Sequence, residues 1–176
     1  MPKFQAQYVP YEKTNAYSKL VLNYLEKSEK LKPFITDFPS VKSIEKFVTQ
    51  KANQPINRKA LVEVLKEQYS NNNIESEQIE KLLDENTFTI CTAHQPNIFT
   101  GFLYTIYKIV HAINLAKECE KEISDKKFVP VFFIGSEDND IEEIGTLFHK
   151  EKKYQWQTKQ QGACGRISTE SLVEIR

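Results

Sequence analysis

Cysteine is scarce. The chain has three in 176 residues. Cys91, Cys119 and Cys164 are too few and too scattered for a disulfide framework, and none forms a C-x-x-C pair. That excludes a disulfide-stapled secreted scaffold and points to a reducing, cytoplasmic compartment. Excess charge is also missing: Lys plus Arg and Asp plus Glu number 24 each, for a formal net charge of zero. A nucleic-acid binder carries a basic excess or stripe, so nucleic acid is not an expected partner. No apolar run approaches the roughly 20 residues needed to cross a bilayer, and the opening MPKFQAQYVPYEK has no apolar signal core. Neither a membrane span nor a leader is expected. Neither G-x-G-x-x-G nor a Walker loop occurs. No His/Cys cluster has zinc-ligand spacing, so no zinc site is expected.

What is present suits one ordinary domain, or a small domain with an appendage. Hydrophobic residues make up 40% of the chain, enough for a packed core. Residues 1–86 read as a helical region. Tyr17, Leu20, Val21, Tyr24 and Leu25 recur at helical spacing within 14–31, which Pro33 is expected to end. Ser40 is positioned to cap a helix over 41–51, and Asn57 one over 58–70. The run of Asn at 71–73 reads as a turn, and a fourth helix is predicted over about 75–85.

The pattern changes at Thr87. TFTICTA is a β-type run, residues 102–122 form a long helical pattern, and FVPVFFIG at 128–135 is almost wholly apolar. Such a strand is expected to be buried on both faces, as in parallel sheets. Residues 87–144 therefore predict a β–α–β unit. Residues 145–176 predict a hairpin around HKEKK and the start of a further element. Two parallel strands make a poor sheet alone. The chain is thus expected to be the N-terminal piece of a longer protein, or to be completed by another chain.

The connection CTAHQPNIFTGFLYTIYK carries more polar side chains than a bland loop needs. In open α/β sheets, ligands sit beyond the carboxyl ends of the strands. His94, Gln95, Thr100 and Gly101 lie there, ahead of a helix N-terminus that favours anions. Gly101 would let backbone approach a ligand, and Thr100 would cap the helix or donate to an oxyanion. Tyr104 and Lys108 share one helix face, and Lys108 can lean back toward the loop. The bland alternative stays open: turn residues, an ordinary cap and a solvated lysine. His111 reads as structural and His149 as solvent-exposed.

The second strand runs into GSEDNDIEEI. Ser136, Glu137, Asp138 and Asp140 would emerge at the same sheet edge and suit an amine, a ribose hydroxyl or hydrated Mg2+. Lys108 or His94 opposite Glu137 or Asp138 would suit a zwitterion. Asp140 and Glu143 equally fit a capping box. Cys91 is expected to be buried at a strand end, Cys119 to lie on the apolar side of the helix, and Cys164 to be exposed.

Together, TAHQPNIFTGFLYTIYKIVHAINLAK and VPVFFIGSEDNDIEEI resemble the bacillithiol-biosynthesis cysteine-adding enzymes, BshC. That family shows a T-G-Q-Q-x-x-x-x-T/G-G-x-L-Y-T-x-Y-K loop–helix and a V-P-V-F-W-x-x-S-E-D-H-D strand–loop. The likeness covers most of residues 57–150. It departs at Ala93-His94, where Gly-Gln is common, and at Asn139, where His is common. The resemblance implies the start of a Rossmann-like, class I synthetase-like α/β core, incomplete in this chain, with a coiled coil in the full-length protein. It implies a ligase joining cysteine to glucosaminyl-malate in the last step of bacillithiol synthesis, with ATP activating the cysteine carboxylate and Mg2+ accompanying it. It also implies a cytoplasmic homodimer of the full-length protein, with this fragment inactive alone. Gln95, Thr100, Gly101, Tyr104 and Lys108 would line one side of the site, and Ser136, Glu137, Asp138 and Asp140 the other. Two alternatives stand beside it: another nucleotide-dependent transferase on the same core, and a non-catalytic binding or scaffold module.

Overall fold

A computed structural model describes residues 5–174. It divides into two compact units, Met1–Thr49 and Gln50–Arg176. In the first, helix α1 spans Lys19–Leu25, with Ser18 Oγ accepting from the Val21 N–H at 3.4 Å. The helix predicted to run to residue 31 stops six residues short. Lys27 takes a left-handed φ of 55°, Ser28 N–H donates to Asn23 O, and Lys27 N–H donates to Tyr24 O. That is a Schellman stop, formed without the usual glycine. Leu31 is buried in a separate 3-10 turn, Glu29–Leu31. Helix α2, Val41–Ala52, opens on a reciprocal pair. Ser43 N–H donates to Ser40 Oγ at 3.0 Å, and Ser40 N–H donates to Ser43 Oγ at 2.9 Å.

In the second unit, α3 (Arg58–Ser70) is capped by Asn57, whose Oδ1 accepts from Ala60 N–H at 3.1 Å. The Asn run ends α3 in another left-handed turn at Asn73. Helix α4 is Glu77–Lys81, shorter than the predicted 75–85 because Ser76 supplies no side-chain cap and Leu82 already ends the helix. Then come β1 (Thr87–His94), α5 (Leu103–Glu122) and β2 (Lys127–Ile134). The strands pair in parallel without a bulge, from Thr87↔Lys127 to His94↔Ile134. Val129 and Val131 turn one face to a cluster of Val62, Leu65, Ile79 and Leu82 from α3 and the α4 end. Alternation turns Phe128, Pro130 and Phe132 to the other face. Helix α5 packs on both strands and buries Ala112, Ala116 and Cys119.

Burial of β2 on both faces holds only for its first half. Phe128 and Val129 are buried, whereas Phe133 and Ile134 are 62% and 54% exposed. Cys91, expected inside, is exposed: alternation puts it on one face with Thr89 and Ala93, and both of those are exposed too. After β2, a short helix α6 (Ile141–Ile144) leads into a hairpin of β3 (Thr146–His149) and β4 (Lys152–Gln155). Its turn residues Lys150 and Glu151 have φ of 46° and 65°, which matches strand twist in a two-residue turn. Trp156 is buried and its Nε1–H donates to Ser171 Oγ at 2.7 Å. No helix among the described residues is long and apolar enough to cross a membrane.

Candidate functional site

Both predicted loops leave the sheet side by side. Gly135 N–H donates to His94 O at 2.9 Å, carrying the parallel ladder one step past the strands. A Cβ built on Gly135 would lie 3.7 Å from Gln95 Cα. The polar connection and the acidic turn therefore share the carboxyl edge, where an α/β sheet places ligands.

Three successive residues of the first loop have positive φ: Phe99 at 49°, Thr100 at 70° and Gly101 at 65°. Each non-glycine costs about 1–2 kcal/mol in that region. Thr100 does not cap α5; Phe102 occupies the N-cap position and offers no side-chain bond. Gly101 does not open space for a ligand either. A Cβ there would fall 2.6 Å from Asn97 Cβ, so the asparagine side chain already fills the gap. Asn97 Nδ2–H donates to Gln95 O at 3.0 Å, pinning the loop to itself.

The first turns of α5 tie the edge together. His94 Nε2 and Tyr104 Oη lie 3.1 Å apart, and the Tyr104 hydroxyl donates to Glu143 Oε1 at 3.5 Å. Burial, then the Glu143 charge, pushes the Tyr104 phenol above its ordinary value, so it stays protonated and able to donate. Lys108 leans back as predicted: Nζ donates to Ala93 O at 3.2 Å and lies 5.5 Å from the Tyr104 ring centre. Phe102 stacks on Tyr104 at 5.6 Å and 10°, and Phe148 of β3 lies 6.3 Å beyond Phe102. The residue reading missed Glu143 as a tether, along with Phe102 and Phe148. Their partners lie far apart in sequence, and no local pattern marks them.

The acidic loop folds largely on itself. Asp138 Oδ1 accepts from Asp140 N–H at 2.8 Å, and Asp140 Oδ1 from Glu143 N–H at 3.0 Å. Asp140 is thus the cap of α6, the alternative reading of that residue. A downstream turn, Cys164–Arg166, braces the loop: Cys164 N–H donates to Asp138 O and Gly165 N–H to Ser136 O, both at 2.8 Å. Arg166 pairs with Glu137 at 3.4 Å, across exposed side chains where the pair contributes little. Lys108 and His94 form no direct ion pair with Glu137 or Asp138 among the described residues. Tyr104 to Glu143 makes the cross-link instead. Cys164, expected to be exposed, is half-buried in the brace; burial and then the Asp138 charge push its thiol up, away from nucleophilic character. His111 and His149 are exposed and stand apart from these contacts.

Lys108 and the uncapped start of α5 suit an anionic group, a carboxylate or a phosphate. In the acidic loop, Asp138 and Asp140 each accept a backbone N–H and Glu137 pairs with Arg166, and no trio of His, Cys, Asp or Glu among the described residues could hold a metal ion.

A parallel β–α–β unit with long polar loops at its carboxyl edge defines a Rossmann-like α/β domain. The chain belongs to the BshC family: the model of "Bacillithiol biosynthesis BshC, N-terminal Rossmann-like domain" matches residues 4–175. Relatives that carry the provisional name cysteine ligase BshC occur in several bacteria. The Flavobacterium johnsoniae protein is 42% identical over 172 residues, covering 95% of this chain and 32% of its own length. The Flavobacterium psychrophilum protein is 42% identical, with 95% and 33% covered. The Cytophaga hutchinsonii protein is 37% identical, with 99% and 34% covered. The chain thus spans about a third of the length of these curated relatives.

Proposed function

We propose that this domain contributes the N-terminal part of the active site in a full-length cysteine ligase. That enzyme joins cysteine to glucosaminyl-malate, completing bacillithiol in the cytoplasm, and works as a homodimer. Family membership supports the ligase class. The observation that carries the site is the shared edge, where His94, Tyr104 and Lys108 meet the 135–143 segment through the Tyr104–Glu143 bond. In this reading, Lys108 and the α5 N-terminus hold an anionic group, while Glu137 and Asp138 present carboxylates to an amine. Ser136 and Gln95 offer neutral polar contacts between them. ATP, when bound, supplies the activated leaving group on the cysteine carboxyl. This chain's residues orient the reactants and keep the amine near the carboxyl carbon.

The test uses the full-length protein with cysteine, glucosaminyl-malate and ATP, read by mass spectrometry of the amide product. Lys108→Ala is expected to lower kcat/KM by about tenfold or more, equivalent to about 1.4 kcal/mol. Trapped adenylate without any amide would support a different nucleotide-dependent transferase. Unchanged cellular thiol levels with Lys108→Ala and Asp138→Ala together would support a scaffold role instead.

A further inference from the structure

Helix α5 is apolar on two opposite sides. Towards the sheet it buries Ala112, Ala116 and Cys119. Nine residues of α-helix make about two and a half turns, which is half a circle round the axis. Leu103, Tyr107 and Val110 each stand nine positions before one of those three, so they point away from the sheet. Leu103 and Tyr107 are 64% and 66% exposed, and Ile106, Val110 and Ile113 are exposed beside them. Further along, the same outer side carries Asn114, Lys117 and Lys121, all exposed. That is the solvated side a helix lying on a sheet ordinarily has. The apolar outer side is thus confined to the first three turns, about 15 Å of helix at 1.5 Å per residue.

Apolar side chains scattered singly over a surface are normal, whereas a contiguous apolar patch marks an interaction site. These five are not scattered. Leu103, Ile106, Val110 and Ile113 step by three, four and three residues, with Tyr107 on the flank. That is the seam spacing with which one helix sets its side chains into another. A further strand in the sheet leaves this seam uncovered, and so does a helix added in the layer of α5, because Leu103 and Tyr107 point outward from both.

We propose that the first three turns of α5 are a docking seam for an amphipathic helix from the remaining part of the full-length protein, laid on the outer side of α5 as an additional layer. Two observations select this occupant over a second copy. Five side chains fall well short of the roughly 20–30 residues a side that a stable interface between separate proteins engages. A segment of the same polypeptide needs less, because its tether holds it at high effective concentration. The relatives are about three times as long as this chain, which covers 32–34% of them, so their remaining length is ample for such a helix. The seam spans the turns that carry Tyr104 and Lys108, so the docked helix steadies the stretch of α5 from which both reach the loops. The inference rests on the exposure pattern of α5 and stands or falls independently of the ligase reading.

The experiment has two readouts on the full-length protein, neither needing turnover. In hydroxyl-radical footprinting, Leu103 and Tyr107 are expected to be oxidised about tenfold or more slowly in the folded protein than in the same protein unfolded in denaturant, as befits side chains in the core of a contact. Oxidation as fast as in the unfolded protein overturns the proposal. In photo-crosslinking, Tyr107→p-benzoylphenylalanine is made in a mixture of isotope-labelled and unlabelled protein. The crosslinked peptide is expected to lie outside residues 1–176, on the same polypeptide, with apolar residues at three-and-four spacing. Crosslinks between labelled and unlabelled chains assign the seam to a second copy and overturn the choice of occupant. Crosslinks confined to residues 1–176 overturn it as well.

Discussion

Gly101 meets two requirements at once. Its φ of 65° with ψ of −150° lies where a side chain is strained, and the room beside its Cα is taken by Asn97. Gly101→Ala is expected to destabilise the domain by about 1–3 kcal/mol, read as a lower denaturant midpoint with unchanged slope. Tyr104 does a different job. Its ring packs between His94 and Phe102, and its hydroxyl joins β1 to α6. Tyr104→Phe keeps the ring and removes the hydroxyl, so stability should fall by only about 0.5–1.5 kcal/mol in the same assay. Substrate binding by the full-length protein should weaken more than that stability change if the loops must be held together. At this scale the residue reading singled out His94, Tyr104 and Lys108, which the structure brings together, because polar side chains at a strand end and on the next helix turns are locally conspicuous. It misjudged Thr100 as a cap and Gly101 as open space, because those points depend on a left-handed turn and on where the Asn97 side chain lies.

Among the elements, one guanidinium grips the connection from α4 to β1 at three carbonyls. Arg58 donates to the carbonyls of Leu82 at 2.8 Å, Thr87 at 3.1 Å and Glu85 at 3.4 Å. Arg58→Ala leaves those acceptors without their charged donor, and a loss of about 1.5–3 kcal/mol is expected by thermal or chemical unfolding. Leu82, 4% exposed in the cluster under β2, should cost about 2–5 kcal/mol on Leu82→Ala. Helix starts at Ser40, Asn57 and Asp140 were legible because an N-cap is written in one residue type followed by helical periodicity. Helix ends were not. Lys27 takes a conformation that glycine or asparagine normally signals, so α1 stops where the apolar spacing still continues. The β–α–β order was legible from the shift in period at Thr87 and the apolar run at 128–135.

Over the whole molecule, acid should act through a few tethered carboxylates. Asp84 lies below its ordinary value of 3.8 because Lys127 donates to it and, next, because the Asn86 N–H does. Asp37 is lowered in the same way by Lys46 and then by the Phe38 N–H. A carboxylate held low in the folded state stabilises fully above its unfolded value and loses that contribution as pH falls through the folded value. Stability should therefore decline below about pH 4, and Asp84→Asn should flatten part of that decline in denaturant midpoints taken across pH. What composition conveyed at this scale was balance and the lack of a bilayer span. It did not convey that the carboxyl end of the sheet stays open on one face, since that depends on which helices reach it.

The Cys164–Arg166 turn sets a practical limit on how short this domain can be cut. A version ending near residue 158 would keep both strands, α5 and the hairpin, yet nothing would grip Ser136 and Asp138 from behind. A broad-specificity protease, or one that cuts after glutamate, should then nick the peptide between Gly135 and Asp140 while leaving the longer form intact at that place. The shape of the acidic turn is, in that sense, authored by a stretch of chain that takes no part in the sheet.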